Sequence, residues 1–401
     1  MSDTPYFVKL EEAIEISCRT TIKTEIETVV LDESHGRILA LDLRSLVDDP
    51  AFDNSSMDGF AMRYEDTKNP PQTLDIIGTI QAAGQEDNVV VGPKQAVRIM
   101  TGAPIPEGAD SILQVELTTT NENKVTLQQE GMKHFIRKQG ENLLKGSVSI
   151  TAGTILTPSR IGLCATMGHS TLPVIKPLKV AIISTGDELI PPGEELQRGQ
   201  IYESNSFGLA GLVKWLGHEP IRMNNSGDSI DELRLALDKA ASTCDLILTS
   251  GGVSMGEWDL VRKIMEDEGD IHFWRVKIRP GSPPLFGTWK DTPIFGLPGN
   301  PVSSHVVFRT LVAPWIRNTT SAKGPTEVRT FARLATPVKP TKDSLTFRRV
   351  SIEMTNEGLV AHQKIHQGSG NIASIALSEG MVVLQPGQEY SIGDTVEVMI
   401  L

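Results

Sequence analysis

Apolar and polar positions alternate with different periods along the chain. Residues 8–22, VKLEEAIEISCRTTI, set Leu10, Ile14 and Ile16 among charges at near-helical spacing and predict an amphipathic helix. Residues 28–47 carry short apolar runs on either side of a turn at Ser34–Gly36. Residues 50–64, PAFDNSSMDGFAMRY, crowd Asp53, Asn54, Ser55, Ser56, Asp58 and Gly59 into a loop. From 73 to 138 short apolar runs broken by Gly and Pro predict a β-rich unit with no long helix. Residues 139–177 are Gly-punctuated, with Thr157 and Pro158 opening a helix.

Residues 178–318 alternate buried apolar runs with helical patterns, which predicts an α/β layer fold on a parallel sheet. LKVAIIST and CDLILTS read as buried strands. Ser229 and Glu232 form a capping box, and Asn300-Pro301 starts a later helix. HFWRVKIRP reads as one strand with Arg275, Lys277 and Arg279 on one face. From 325 onward alternating β-branched runs and turns predict a small C-terminal β domain or barrel. The expected division is 1–47 with 139–177, a β insertion over 48–138, an α/β unit over 178–321, and 322–401.

Charge changes the picture next. A net charge of -12 argues against nucleic acid as partner. No apolar run reaches the ~18 residues of a membrane span, and the N-terminus does not read as a secretory signal. Three scattered cysteines in apolar contexts fit a reducing cytoplasm and form no zinc-type spacing.

In open α/β sheets ligands bind at the carboxyl ends of the parallel strands. Three polar clusters fall at such ends: Thr185-Gly186-Asp187-Glu188, Asn225-Ser226-Gly227-Asp228 and Ser250-Gly251-Gly252. The loop Leu297–Asn300 joins them. Gly turns and helix starts can cradle phosphate, so a small-anion or nucleotide site is expected. Asp187, Glu188, Asp228, Glu257 and Asp259 would repel that phosphate. A bridging Mg2+, held by hard oxygen ligands, would resolve the conflict. The absence of GxGxxG and GxxxxGK[ST] argues against a Rossmann dehydrogenase or a P-loop NTPase.

Five collinear motifs then match one family. SSMDGFA (55–61), RIMTGAPIPEGAD (98–110), STGDEL (184–189), TSGGVSMGEWD (249–259) and GLPGNPVS (296–303) resemble the molybdopterin molybdenumtransferases, the MoeA and gephyrin E-domain family. The resemblance implies a discontinuous linker domain, a β-rich insertion, an α/β molybdopterin-binding domain and a C-terminal β-barrel. It also implies a homodimer. The implied reaction takes adenylylated molybdopterin and molybdate, releases AMP and leaves molybdenum on the dithiolene.

By motif match, Asp187, Glu188, Asp228 and Asp259 would organise metal and nucleotide, with Asp58 reaching across the dimer. Gly251, Gly252, Ser254, Gly299 and Asn300 would contact the pterin nucleotide, and Lys277, Arg279, Ser303 and Arg349 would surround the oxyanion. Thr185, Gly186, Ser250, Pro298, Pro301 and Ser369 are further substrate-binding candidates. Two departures stand out. The family's Lys-Pro-Gly-Lys-Pro is here Arg279-Pro280-Gly281-Ser282-Pro283, and its Gly-Glu-Asp is Gly140-Glu141-Asn142. A catalytically altered dimeric scaffold, or an enzyme for tungstate, are the alternatives.

Overall fold

The computed structural model describes residues 4–83, 89–223, 229–253, 259–325, 327–364 and 366–401. Its largest sheet has seven strands, in the order Tyr6–Val8, Asp270–Val276, Leu285–Trp289, Thr292–Leu297, Leu246–Ser250, Lys179–Ser184 and Glu219–Arg222. The apolar runs explain how this sheet is buried. Successive side chains of a strand point to opposite faces. Val180 and Ile182 accordingly join one core cluster, and Ala181 and Ile183 join the other. The first face is covered by helices Asn205–Trp215 and Pro301–Thr319, the second by Ile230–Thr243 and Leu260–Glu268.

Helix starts follow the sequence reading with one physical difference. Ser229 accepts a hydrogen bond from the Glu232 amide at 3.4 Å, as a capping residue should. Thr157 and Asn300 sit at cap positions ahead of Pro158 and Pro301 but make no side-chain cap. Proline at the first helical position removes one orphan donor, so less is left for a cap to satisfy. The helix beginning at Pro301 widens into a π turn at Phe308–Val312, just before Pro314. A proline there lacks the N–H that a regular α ladder would use.

The sheet is not wholly parallel, contrary to the expectation. Leu285–Trp289 runs antiparallel to both of its neighbours. It is joined to Thr292–Leu297 by a two-residue turn at Lys290 and Asp291, with φ of 47° and 65°. Two left-handed residues match the twist of a tight hairpin, a position usually filled by Asn-Gly. The first elements also sit elsewhere than expected. Tyr6–Val8 is a strand parallel to Asp270–Val276, and only Leu10–Arg19 is helix. Val8, Leu10 and Ala13 belong to the α/β core, not with residues 26–47, because an open sheet edge offered backbone partners.

Residues 26–44 do meet 143–175. Ile26–Val30 pairs with Thr171–Ile175, and Leu43–Arg44 with Val148–Ile150, around a core that includes Leu39, Leu156 and Cys164. Between them, six strands drawn from residues 59–127 form the inserted sheet. At the C-terminus five strands close into a barrel: Leu345–Thr355, Gly358–His362, Arg329–Leu334, Thr395–Ile400 and Gly380–Leu384, the last pairing back to the first. Phe347, Met381 and Met399 carry the barrel onto the α/β core, so the two units share one hydrophobic cluster. No described helix is long and apolar enough to cross a membrane.

Candidate functional site

Lys179–Ser184, Leu246–Ser250 and Thr292–Leu297 are adjacent and parallel. Their carboxyl ends deliver Thr185-Gly186, Gly251-Gly252 and Pro298-Gly299-Asn300 to one edge of the sheet. A cavity of about 710 Å³ opens there. Thr185, Gly186, Glu188, Ser250, Gly251, Gly252 and Asp259 line it on one side, and Pro298 to Pro301 on the other. Gly251 has a φ of 103°, and a Cβ built on it would lie 2.8 Å from Thr185 Oγ1. Only glycine fits there, and its lack of a side chain opens the wall to a ligand.

Two residues of this cavity were not singled out from sequence. Asn205 Nδ2 donates to Ser250 Oγ and to the Gly299 carbonyl, each at 2.7 Å. It thus ties two of the strand-end loops together. Glu203 is buried and accepts from Ser184 Oγ at 3.0 Å and from the Ser206 amide at 2.7 Å. That anchors the start of the Asn205–Trp215 helix beneath the cavity. The signal in the sequence was only the polar string Glu203-Ser204-Asn205 before an apolar helix.

A second cavity, of about 330 Å³, lies beside the first and shares Pro283, Pro298 and Asn300 with it. It is lined by Arg279, Arg348 and Arg349, with Ser282, Ser303 and Ser369, and by no acidic residue among the described ones. Arg279 arrives on Ile278–Arg279, a short strand that pairs with Leu345–Thr346 of the barrel. Arg349 comes from the barrel strand itself. It is buried, with Nε on Ser374 Oγ at 3.2 Å and Nη2 on the Gly368 carbonyl at 3.1 Å. Burial first, and then the Arg348 charge, push its guanidinium down to about 10, which leaves it charged at neutral pH. Its Nη1 and the Ser282 hydroxyl are buried without a protein partner. Buried polar groups are rarely left so, and an anionic ligand would satisfy both.

Several expected residues sit differently. Lys277 does not line either cavity; its ammonium lies 5.5 Å from the Phe7 ring centroid. The basic ladder fails because the strand ends at Val276 and Arg275 takes a φ of 66°, so the alternation of faces is broken before Arg279. Arg275 packs over Tyr6 and Phe7 instead. Asp187 is exposed next to Glu188 and does not line the larger cavity. Asp58 lines neither cavity within one chain. Its carboxylate accepts from the Thr101 amide at 2.6 Å and hydroxyl at 2.8 Å, which hold it below the usual carboxylate range. Asn142 donates to Asp49 at 3.0 Å, also away from both cavities. Asp228, Ser254 and Glu257 lie outside the described residues.

Glu188, Glu203 and Asp259 are the carboxylates on the larger cavity, and Glu203 is already engaged by Ser184 and Ser206. Among the described residues no group of three or more His, Cys, Asp or Glu side chains is placed to hold a metal ion. The donor set suits an ion that takes one or two carboxylates and completes its shell with ligand oxygens and water.

Comparison with known proteins agrees with this architecture. Three family models cover the chain in order: the MoeA N-terminal region (domain I and II) over residues 8–168, a probable molybdopterin binding domain over 181–318, and the MoeA C-terminal region (domain IV) over 332–401. A molybdopterin molybdenumtransferase of Haemophilus influenzae is 37% identical over 380 residues, 94% of each chain. One from Bacillus subtilis is 33% identical over 98% of this chain and 94% of its own. The crystal structure of a molybdopterin biosynthesis MoeA protein from Pyrococcus horikoshii superposes with a TM-score of 0.86 at 29% identity, covering 98% of this chain and 100% of that one. With strand-end cavity, inserted sheet and closed barrel in the order these models require, the chain belongs to the MoeA family.

Proposed function

We propose that the chain inserts molybdenum from molybdate into adenylylated molybdopterin and releases AMP. That it is a transferase of molybdenum cofactor biosynthesis follows from its family. The finer reaction rests on one observation: two cavities of opposite character share the wall Pro283, Pro298 and Asn300.

The larger cavity would take the pterin nucleotide. Gly251, Gly252 and Gly299 let the ligand approach the backbone, and Thr185, Ser250 and Asn205 offer short polar groups. Glu188 and Asp259 would hold a divalent cation such as Mg2+, which would neutralise phosphate charge at that end. The smaller cavity would take molybdate. Arg279, Arg348 and Arg349 reverse the field of a chain with a net charge of -12. Ser303 and Ser369 add neutral donors that fix the oxyanion's orientation. Adjacent subsites convert a two-substrate encounter into a positioned one.

Asp58 fits only if a second copy supplies it, since within one chain it lines neither cavity. A homodimer is therefore part of the proposal. So is a cytoplasmic location, which three unpaired cysteines support.

The test is molybdate-dependent AMP release by the purified full chain, with tungstate run in parallel. Release that needs molybdate and a divalent cation is the expected result. No release under any divalent cation, from a folded protein, would sink the reading.

A further inference from the structure

A third cavity, of about 370 Å³, belongs to neither subsite. It lies where the linker unit meets the α/β unit. His35, Gly36, Ile38 and Ile155 come from the former, and Lys214 to His218 and Ile316 to Ala322 from the latter. Gly217 ends the Asn205–Trp215 helix in the left-handed region, with a φ of 83°. A Cβ on it would lie 3.3 Å from the Gly36 carbonyl, so the two turns meet closely at this wall.

The charged and imidazole side chains of the lining can all donate. His218 is 6% exposed, and its Nδ1 accepts from the Leu178 amide at 3.1 Å. That bond fixes the tautomer of the neutral ring, with the proton on Nε2. Burial, and then the charge of Arg37, lower the imidazole to about 4, so the ring is neutral at pH 7. Nε2 is buried and has no protein partner. Arg317 Nε is likewise buried without a hydrogen-bond partner. The nearest acid acting on this guanidinium is Glu327, which is already paired with Arg309 and does not line the cavity. Lys214 and His35 add further donors. Thr320 spends its proton on the Ile316 carbonyl at 2.8 Å. No acidic residue lines the cavity, although the chain has 50 acids against 38 Lys and Arg. The remaining wall is apolar: Ile38, Ile155, Ile316 and the exposed ring of Trp215.

Two unpaired buried donors, from His and Arg, in an acid-free cavity with an apolar floor ask for an acceptor with a hydrophobic body. We propose that this cavity binds a small organic anion, a carboxylate or phosphate head on a compact apolar group. The head meets His218 Nε2 and Arg317, and the body rests on the isoleucine wall. Such a ligand touches both units and therefore ties the linker unit to the α/β unit.

The experiment uses the full chain. Crystals are soaked in 4-iodobenzoate, whose iodine is located by anomalous scattering, and parallel soaks use phenyl phosphate. Binding in solution is followed by titration calorimetry for wild type, Arg317→Met and His218→Gln. The expected result is the probe in the cavity with its head on His218 and Arg317. Arg317→Met should then weaken binding by about tenfold or more, the scale of a hydrogen bond to a charged group. Preference for one probe identifies the head group. The proposal is overturned if the cavity holds only ordered water at saturating probe, or is filled by a side chain of a second copy. It is also overturned if Arg317→Met, folded as judged by its melting curve, binds both probes as tightly as wild type. Arg317 lines neither of the two cavities assigned to the reaction, so AMP release by that variant separates failure here from failure of the reaction proposed above.

Discussion

The larger cavity is walled mainly by strand ends and glycines of the α/β unit, with Gly370 and Ile372 added from the C-terminal unit, the smaller by arginines gathered where the same two units join. In the first, the protein offers backbone and short side chains, and charge enters as the carboxylates of Glu188, Asp259 and the buried Glu203. In the second, three guanidiniums crowd one small space and one of them, Arg349, is almost fully buried. Like charges resist such crowding without an anion, and burial penalises Arg348 and Arg349 further. A glycine-lined wall costs little to hold open, whereas an arginine cluster needs the barrel's Ser374 and Gly368 to keep it in place. The lesson is that one sheet's strand ends supply most of a glycine-rich wall, while the arginines of the basic cavity come chiefly from a second domain.

This contrast can be broken by experiment. The largest effect should come from Asp259→Asn, which removes a carboxylate from the larger cavity. We expect kcat/KM for AMP release to fall about 10²–10³-fold, the scale of losing one electrostatic contact to a transition state. Chelation should abolish AMP release as well, while molybdate binding measured by calorimetry persists. Parallel loss of molybdate binding would show that the two cavities are not separable.

Arg349→Met should raise the KM for molybdate about 10–100-fold with the affinity for adenylylated molybdopterin unchanged. A melting curve must accompany it, because Arg349 is also tied to Ser374 and Gly368. Asn205→Ala tests the opposite side. Losing its link between Ser250 and Gly299 should weaken nucleotide binding about tenfold and leave the KM for molybdate alone. The smallest effect is expected from Lys277→Met, whose ammonium lies over Phe7: molybdate KM within about twofold of wild type, against about tenfold or more for Arg279→Met. Equal effects at the two positions would restore the basic ladder that the broken strand denies.

The larger cavity was far more legible than the smaller. Apolar runs ending in Gly and Asp mark strand termini, and parallel strands bring their termini to one edge by topology alone. That is why Thr185, Ser250, Gly251 and Asn300 could be named in advance. Asn205 could not, because its role depends on bridging two loops 45 and 94 residues away. Arg348 was missed and Lys277 misassigned for a shared reason: two-residue spacing predicts a face only while the strand stays regular. The hairpin at Lys290-Asp291 was missed because Lys-Asp carries no signal for left-handed backbone.

The sequence by itself determined the family, the α/β core with its inserted sheet and terminal barrel, and the strand-end loops of the nucleotide pocket. Collinear motifs carry the family, and local propensity and period carry the rest, because each is written in neighbouring residues. Only the tertiary structure decided that Tyr6–Val8 completes the sheet edge, that Leu285–Trp289 reverses direction, and that Arg279 rather than Lys277 reaches the basic cavity. It alone brought Arg348 to Arg279, and His218 to Arg317. Those pairings depend on how units pack, and packing places residues far apart in the chain within reach of one ligand.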